Sequence, residues 1–189
     1  RSKKSSKTSQ FQPLSYIDII YHYKPNRKLQ ILTKADFLQY WPKIIDDLHK
    51  ISLSMAILEL TDRTLSENDS HPELFTVLVK LLQSYNDECE DPNLLFWFYE
   101  CALLTHLGFR PSLQGYNLPG LHLPDPNSGP HSGLILASLF SGDIKNLPSE
   151  KITKIDRKII NNYLWLSLCY HFENLQDIKS MKIAKKLLV

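Results

Sequence analysis

The segment Leu94–Gly108 (LLFWFYECALLTHLG) constrains the fold more than any other part of the sequence. Its apolar residues go most of the way round a helix instead of keeping to one stripe, and such a helix must be covered on nearly all sides. Asp91 and Pro92 can cap and start the helix, and the glycine at its end can terminate it. The segment is too short to cross a bilayer and contains Glu100 and His106. The sequence therefore predicts a buried central helix with a helical domain packed around it.

Apolar periodicity predicts further helices on both sides of this segment. A capping-box-like start at Thr33–Asp36 predicts a short helix that breaks near Trp41. A longer helix is expected from Pro42 to about Leu65, with a core stripe of Ile44, Leu48, Ile51, Met55 and Leu58, flanked by Ile45, Ile57 and Leu60. A helix is expected at 72–86, with Leu74, Leu78, Leu81 and Tyr85 inward, and a short one at 134–140. Another is expected at about 153–172, with a stripe of Ile155, Ile159, Tyr163, Leu166 and Tyr170 that is widened by Ile160, Leu164 and Leu168, and a short basic helix at 181–189.

The N-terminal segment has the alternation of a β-strand. In residues 14–23 (LSYIDIIYHY), apolar and aromatic side chains share one face, and Asp18 and His22 lie on the other. Residues 24–27 (KPNR) form a turn, from which 28–32 can return as a second strand. Two strands are not a stable sheet alone, so we expect further strands before Arg1, in a longer protein of which this chain is a fragment.

Charge is distributed unevenly along the chain. Residues 1–28 hold seven Lys/Arg against one acid, residues 145–189 hold nine against four, and the middle holds six against fifteen. Basic ends of this kind indicate a polyanionic partner. Residues 1–10 (RSKKSSKTSQ) are either a frayed terminus or a mobile basic loop that lies along phosphates.

The motifs of the common enzyme and metal classes are absent from the sequence. It has no nucleotide-binding glycine loop, no H-E-x-x-H and no G-x-S-x-G. Its seven histidines and three cysteines are scattered and show no metal-ligand spacing. Residues 110–133 carry five of the eleven prolines and four of the six glycines, and they predict a long ordered loop. These features indicate a non-enzymatic protein without cofactor, metal or small-molecule substrate.

The order of these pieces resembles the RecO family of bacterial recombination mediators. Three segments carry the resemblance: AILELTDRTLSENDSHPELFTVLVKLL, FYECALLTHLGFRPSL and the terminal LQDIKSMKIAKKLL. In addition, YHYKPNRKLQIL is similar to a hairpin of the family's N-terminal OB-fold. The resemblance implies a mainly α protein: residues 1–32 would be part of an OB-fold β-barrel, and residues 33–189 the helical C-terminal domain. About the first quarter of a typical member would be missing.

The family resemblance implies a role in DNA repair. Members bind single- and double-stranded DNA, anneal complementary strands and, with RecR, help to load recombinase onto DNA coated by single-stranded-DNA-binding protein. The helical domain would offer an apolar groove with a basic rim to the acidic C-terminal tail of that protein. The protein would be cytoplasmic and associated with the bacterial nucleoid, not with a membrane.

The expected DNA contacts are the basic residues near both ends of the chain: Arg1, Lys3, Lys4, Lys7, Lys24, Arg27 and Lys28, and secondly Lys179, Lys182, Lys185 and Lys186. Tyr16, Tyr21 and Tyr23 are either base-stacking positions or barrel core. The C-terminal basic segment, taken alone, also fits an ordinary amphipathic helix. A different class, a protein–protein scaffold without a DNA role, remains the alternative.

One departure from the family concerns zinc. Many members carry four cysteines directly after the P-x-L segment, whereas PSLQGYNLPGLHLPDPNSGPHSG has none. The resemblance therefore predicts no zinc here, with the loop held by its prolines and by Tyr116, Leu118, Leu121 and Leu123.

Overall fold

The structure is a computed structural model that describes residues 11–87, 91–114, 118–149, 151–173 and 175–187. The chain divides into two units, Arg1–Pro42 and Lys43–Val189. The first contains a β-hairpin and the second is helical, so the prediction of a mainly α protein with a helical C-terminal domain is confirmed.

The hairpin consists of β1 (Ser15–His22) and β2 (Ile31–Tyr40), which pair antiparallel from Ser15 opposite Tyr40 to His22 opposite Ile31. The pairing register shifts twice along the ladder. Such bulges bend a strand and increase its twist.

The predicted short helix from Thr33 is wrong, because β2 continues through these residues to Tyr40. Pairing with β1 satisfies their backbone groups and outweighs the local capping pattern. Lys34 forms an ion pair with Asp36, two positions away. Residues i and i+2 lie on the same face of a strand but not on the same face of a helix, so this ion pair fits the strand.

The helical unit follows the predicted order with small changes in the helix bounds. Its helices are α1 (Pro42–Ile45), α2 (Leu48–Thr64), α3 (Pro72–Asn86), α4 (Pro92–His106), α5 (Ser132–Leu139), α6 (Lys154–His171) and α7 (Lys179–Leu187). The single long helix expected from Pro42 is two helices, because the Asp47 carboxylate accepts hydrogen bonds from the His49 and Lys50 amides and starts α2 there.

Helix α4 is the buried centre that its composition predicts. Every residue from Asn93 to Leu104 is buried. The Asp91 side chain caps the helix by accepting a hydrogen bond from the Asn93 amide at 3.0 Å. At the other end Gly108, with φ of 81°, lets the Phe109 amide donate back to the Leu104 carbonyl at 2.7 Å. This is the left-handed glycine stop of a Schellman motif.

The inward faces of α2 and α6 are rotated from the predicted ones. Leu48 is 80% exposed, whereas Leu53, Ala56, Ile57 and Leu60 are buried. In α6, Ile155 is 59% and Tyr170 41% exposed, and the buried stripe is Ile160, Tyr163, Leu164 and Leu168. Both helices carry two apolar stripes, and periodicity alone does not say which stripe faces α4. The predicted inward face of α3 is confirmed: Leu74, Leu78, Leu81 and Tyr85 are buried.

The proline- and glycine-rich segment is a loop as predicted, and its end is tied to the start of α6. Leu118 and Leu121 form an isolated antiparallel bridge, and Leu123 is buried; Tyr116 lies outside the described residues. The buried Asp156 carboxylate of α6 accepts a hydrogen bond from the His131 amide at 2.8 Å. Gly129 is needed beside it, since a Cβ there would lie 2.7 Å from an Asp156 oxygen.

Candidate nucleic-acid interface

The turn of the hairpin presents three of the predicted DNA contacts together. Lys24, Arg27 and Lys28 are all exposed and lie within five residues of one another between β1 and β2. The Arg27 amide donates to the Lys24 carbonyl at 3.1 Å, which closes the turn. The turn therefore offers a compact group of cations to solvent.

Gln30 holds this turn in place, a role that the sequence analysis did not assign. Its Oε1 accepts a hydrogen bond from the Lys24 amide at 2.8 Å, and its Nε2 donates to the Lys24 carbonyl at 3.1 Å and the Arg27 carbonyl at 2.8 Å. One side chain thus satisfies three backbone groups. A glutamine three residues after a Lys-Pro-Asn-Arg turn has no distinctive sequence pattern, so its role is visible only from its backbone partners.

Helix α7 presents the second predicted basic group on one face. Lys179, Lys182 and Lys186 are exposed and occupy positions i, i+3 and i+7, which share a side of a helix. The opposite side, with Met181 and Ala184, is buried. The segment is thus both the docked amphipathic helix and the basic surface that the sequence left as alternatives.

The start of α7 is bound to α2 by a carboxylate. Glu59 accepts hydrogen bonds from the Ser180 amide at 3.1 Å and from the Ser180 hydroxyl. The hydrogen bond from the Ser180 side chain lowers the pKa of Glu59, and burial opposes this only in part. An anion at the N-terminus of a helix also interacts favourably with the helix dipole.

An apolar cleft of about 240 Å³ lies between α2 and α7. Its lining consists of Ile51, Ser52, Met55, Ser180 and Ile183. Ile183 is exposed and lies between Lys182 and Lys186 on the outer face of α7. The cleft therefore has a largely apolar lining, and exposed lysines precede and follow one of its lining residues in the sequence of α7.

The structure describes only some of the remaining residues that were predicted to contact DNA. Arg1, Lys3, Lys4 and Lys7, and the side chain of Lys185, lie outside the described residues. Of the three tyrosines, Tyr21 and Tyr23 are exposed and Tyr16 is half-buried. The basic turn belongs to the first unit of the chain and α7 to the second.

Neither a cluster of metal ligands nor a membrane-spanning helix occurs in the described residues. Within the described ranges, no three His, Cys, Asp or Glu side chains cluster so as to hold a metal ion. The cysteine-free segment after Pro111 does not fit the zinc module of the family. No helix in the described part of the chain has the length and apolar character needed to cross a bilayer.

Comparison with known proteins shows that the sequence matches a known family. The family described as "Recombination protein O C terminal" matches residues 45–161, which is more than half of the chain. The matched region runs from the end of α1 into α6 and includes the central helix α4.

Individual relatives agree with this match. Proteins named "DNA repair protein RecO" from Exiguobacterium sibiricum, Salinibacter ruber and Chloroherpeton thalassium are 34%, 28% and 24% identical over 121, 114 and 135 residues. These alignments cover 64%, 60% and 71% of this chain and 48%, 44% and 52% of the relatives, so the chain spans about half the length of the curated relatives that it matches. The family predicted from the order of sequence motifs is confirmed, and the chain belongs to the RecO family.

Proposed function

We propose that this chain acts in DNA repair as a recombination mediator without catalytic activity of its own. It binds single- and double-stranded DNA, anneals complementary strands and, with RecR, helps to load recombinase onto DNA coated by single-stranded-DNA-binding protein. Family membership supports this proposal, and so do the names of the relatives. We place the protein in the bacterial cytoplasm, in association with the nucleoid.

The observation that carries the DNA-binding part is the basic turn held by Gln30. Lys24, Arg27 and Lys28 project from a turn whose backbone is already fixed by three hydrogen bonds. Cations in a fixed arrangement displace counterions from phosphates without losing much conformational freedom on binding. We assign the hairpin to an OB-fold β-barrel, in which Tyr21 and Tyr23 are available for base stacking. Arg1, Lys3, Lys4 and Lys7 extend this interface in the proposal.

The cleft between α2 and α7 supports a second contact, with the tail of single-stranded-DNA-binding protein. An acidic peptide that ends in an aromatic residue would place its ring on Ile51 and Met55 and its carboxylates near Lys182 and Lys186. The lysines of α7 would then serve the tail as well as DNA.

Salt-titrated binding to a single-stranded oligonucleotide tests the proposal. Each phosphate contact should contribute about 0.7 to the slope of log affinity against log salt, so reversing Lys24, Arg27 and Lys28 to glutamate should lower both affinity and slope. Reversal of Lys80 and Lys145, which are exposed lysines of the helical unit, is the matched control and should change little. Absence of binding at low salt by the whole protein would contradict the DNA role and favour the scaffold alternative.

A further inference from the structure

The C-terminal ends of α4 and α6 meet at a group of aromatic side chains that the proposed function does not use. Phe109 follows the glycine that ends α4, and the hydrogen bond from its amide to the Leu104 carbonyl fixes its backbone. His171 is the last residue of α6, and Phe172 follows it.

The rings of this group are ordered as a stack. Phe109 lies parallel to His171, with ring centroids 4.3 Å apart and planes 19° apart. Phe172 meets Phe109 edge-on at 5.4 Å, and Tyr170 meets His171 edge-on at 5.0 Å. These are favoured aromatic arrangements, so the rings hold one another in position.

Two members of this stack reach solvent, unlike the aromatic side chains that pack in and around α4. Phe109 is 36% and Tyr170 41% exposed, whereas Phe96, Trp97 and Tyr163 are buried. A stacked ring at the surface offers a flat apolar area on which a further planar group can continue the stack.

Arg110 is the residue that follows Phe109 in the chain. It is exposed, and its guanidinium lies 5.2 Å from the ring centroid of the buried Phe140. Burial lowers the pKa of His171, so at neutral pH its imidazole contributes a ring and not a second charge. Glu173, which is also exposed, follows Phe172. The exposed chain neighbours Arg110 and Glu173 carry opposite charges, so we expect stacking to contribute more than counterion release here.

We propose that Phe109, Tyr170 and His171 form a stacking platform for an unpaired base of a DNA strand, with Arg110 at the adjacent phosphate. Every base has a π-face, so stacking of this kind is tolerant of sequence. A base in a duplex already has neighbours on both faces, so the platform selects single strands. The inference rests on the proposed DNA binding and adds to it a contact on the helical unit.

The test compares an oligonucleotide of thymidines with one of equal length that contains abasic sites. Phe109→Leu keeps apolar volume but removes the ring face, and it should weaken binding of the thymidine strand roughly 5- to 100-fold. Its salt slope should stay that of the wild type, and its affinity for the abasic strand should not change. Phe109→Trp should retain affinity, and the fluorescence of the added indole should fall on binding. Phe75→Leu, at an exposed phenylalanine of α3, is the matched control.

Three outcomes would overturn the platform. One is that Phe109→Leu binds the thymidine strand as tightly as the wild type does. If Phe109→Leu does not fold, Tyr170→Leu replaces it in this comparison, and equal binding by that variant would overturn the platform in the same way. Another is an equal loss for the thymidine and abasic strands. A third is absence of binding by the wild type at low salt, which would also contradict the proposed function. In the first two outcomes, charge reversal of Lys24, Arg27 and Lys28 would still weaken binding, so the proposed function would stand and only the stacking platform would be wrong.

Discussion

The Asp91 carboxylate joins the start of α4 to α6, because one of its oxygens caps α4 and the other accepts a hydrogen bond from Arg157 at 2.8 Å. The same guanidinium lies 5.8 Å from the centroid of the Trp97 ring. A single aspartate thus fixes the position of the central helix against its neighbour.

Replacing Asp91 should therefore remove two interactions at once. Asp91→Ala should lower the free energy of unfolding by about 2–4 kcal/mol. The variant loses the helix cap, and the part-buried Arg157 guanidinium loses its hydrogen bond to the Asp91 carboxylate. Asp47→Ala is the control, because Asp47 caps α2 through the His49 and Lys50 amides and should cost only about 1 kcal/mol. Urea denaturation measures both. Equal losses would mean that the ion pair with Arg157 contributes nothing.

Trp97 should be among the side chains on which stability depends most. It is buried in α4, and its indole N–H donates to the Asn161 side chain at 2.5 Å. Trp97→Ala should lower the free energy of unfolding by about 3–5 kcal/mol, because the fold cannot close the cavity. Phe75→Ala removes a half-exposed ring and should cost much less. Similar melting temperatures for the two variants would contradict a central role for α4.

The protein should lose stability in acid through Asp156. Burial alone would raise the pKa of this carboxyl, but hydrogen bonds from the Thr153 hydroxyl and from the amides of His131, Thr153 and Ser132 outweigh it, so the pKa is lowered. Since the unfolded chain then binds the proton more readily, this stabilisation is complete above the ordinary pKa near 3.8 and is lost as pH falls through the lower folded value.

Thermal melts of wild type and Asp156→Asn between pH 6 and pH 2.5 measure this contribution. The wild type should be more stable at pH 6, and its advantage should shrink as the pH falls below about 4. Asp62→Asn, at an exposed aspartate of α2, is the matched control for removal of a carboxylate. A constant difference between wild type and Asp156→Asn at every pH would exclude the carboxylate charge as the cause.

Glu59 should control the docking of α7. In Glu59→Ala, the Ser180 amide and hydroxyl lose their acceptor, and hydrogen exchange of the α7 amides should become faster while that of α4 stays slow. Glu67→Ala, beyond the end of α2, is the control. Unchanged exchange in α7 would show that apolar packing alone holds the helix.

Metal analysis of the purified protein should find less than one zinc per chain. The segment that follows Pro111 has no cysteine to act as a ligand. Treatment with a chelator should accordingly leave the melting temperature unchanged. One zinc atom per chain, with a lower melting temperature after chelation, would overturn this prediction.

Local sequence signals predict the helical unit well, because its helix starts and stops are encoded near where they act. Asp91 before Pro92 and the glycine after α4 both behave as their patterns predict. The strand at residues 33–40 was missed because its cause is pairing with β1, a partner some twenty residues away. Helix faces were misassigned for the same reason: Leu48 and Ile155 lie on stripes as apolar as the buried ones, and only tertiary packing chooses between them.

In the candidate interface too, the sequence predicts some residues, and others are recognised only from their tertiary partners. The basic residues were visible as a composition bias, and the exposure of Lys24, Arg27, Lys28, Lys179, Lys182 and Lys186 agrees with it. Gln30 and Glu59, which hold the two groups in place, were not identified, because an isolated glutamine or glutamate has no distinctive pattern until its backbone partners are known.

The bond between Glu59 and Ser180 joins residues 121 positions apart, and this has a consequence for how the protein is made. During synthesis, α2 emerges long before α7, so the side of α2 that carries Ile51 and Met55 must wait for most of the helical unit to be translated before α7 can cover it. Exposed apolar surface on an unfinished chain is a risk for aggregation. During synthesis, the basic outer face of α7 can therefore be put in place only after the chain between α2 and α7 has been made.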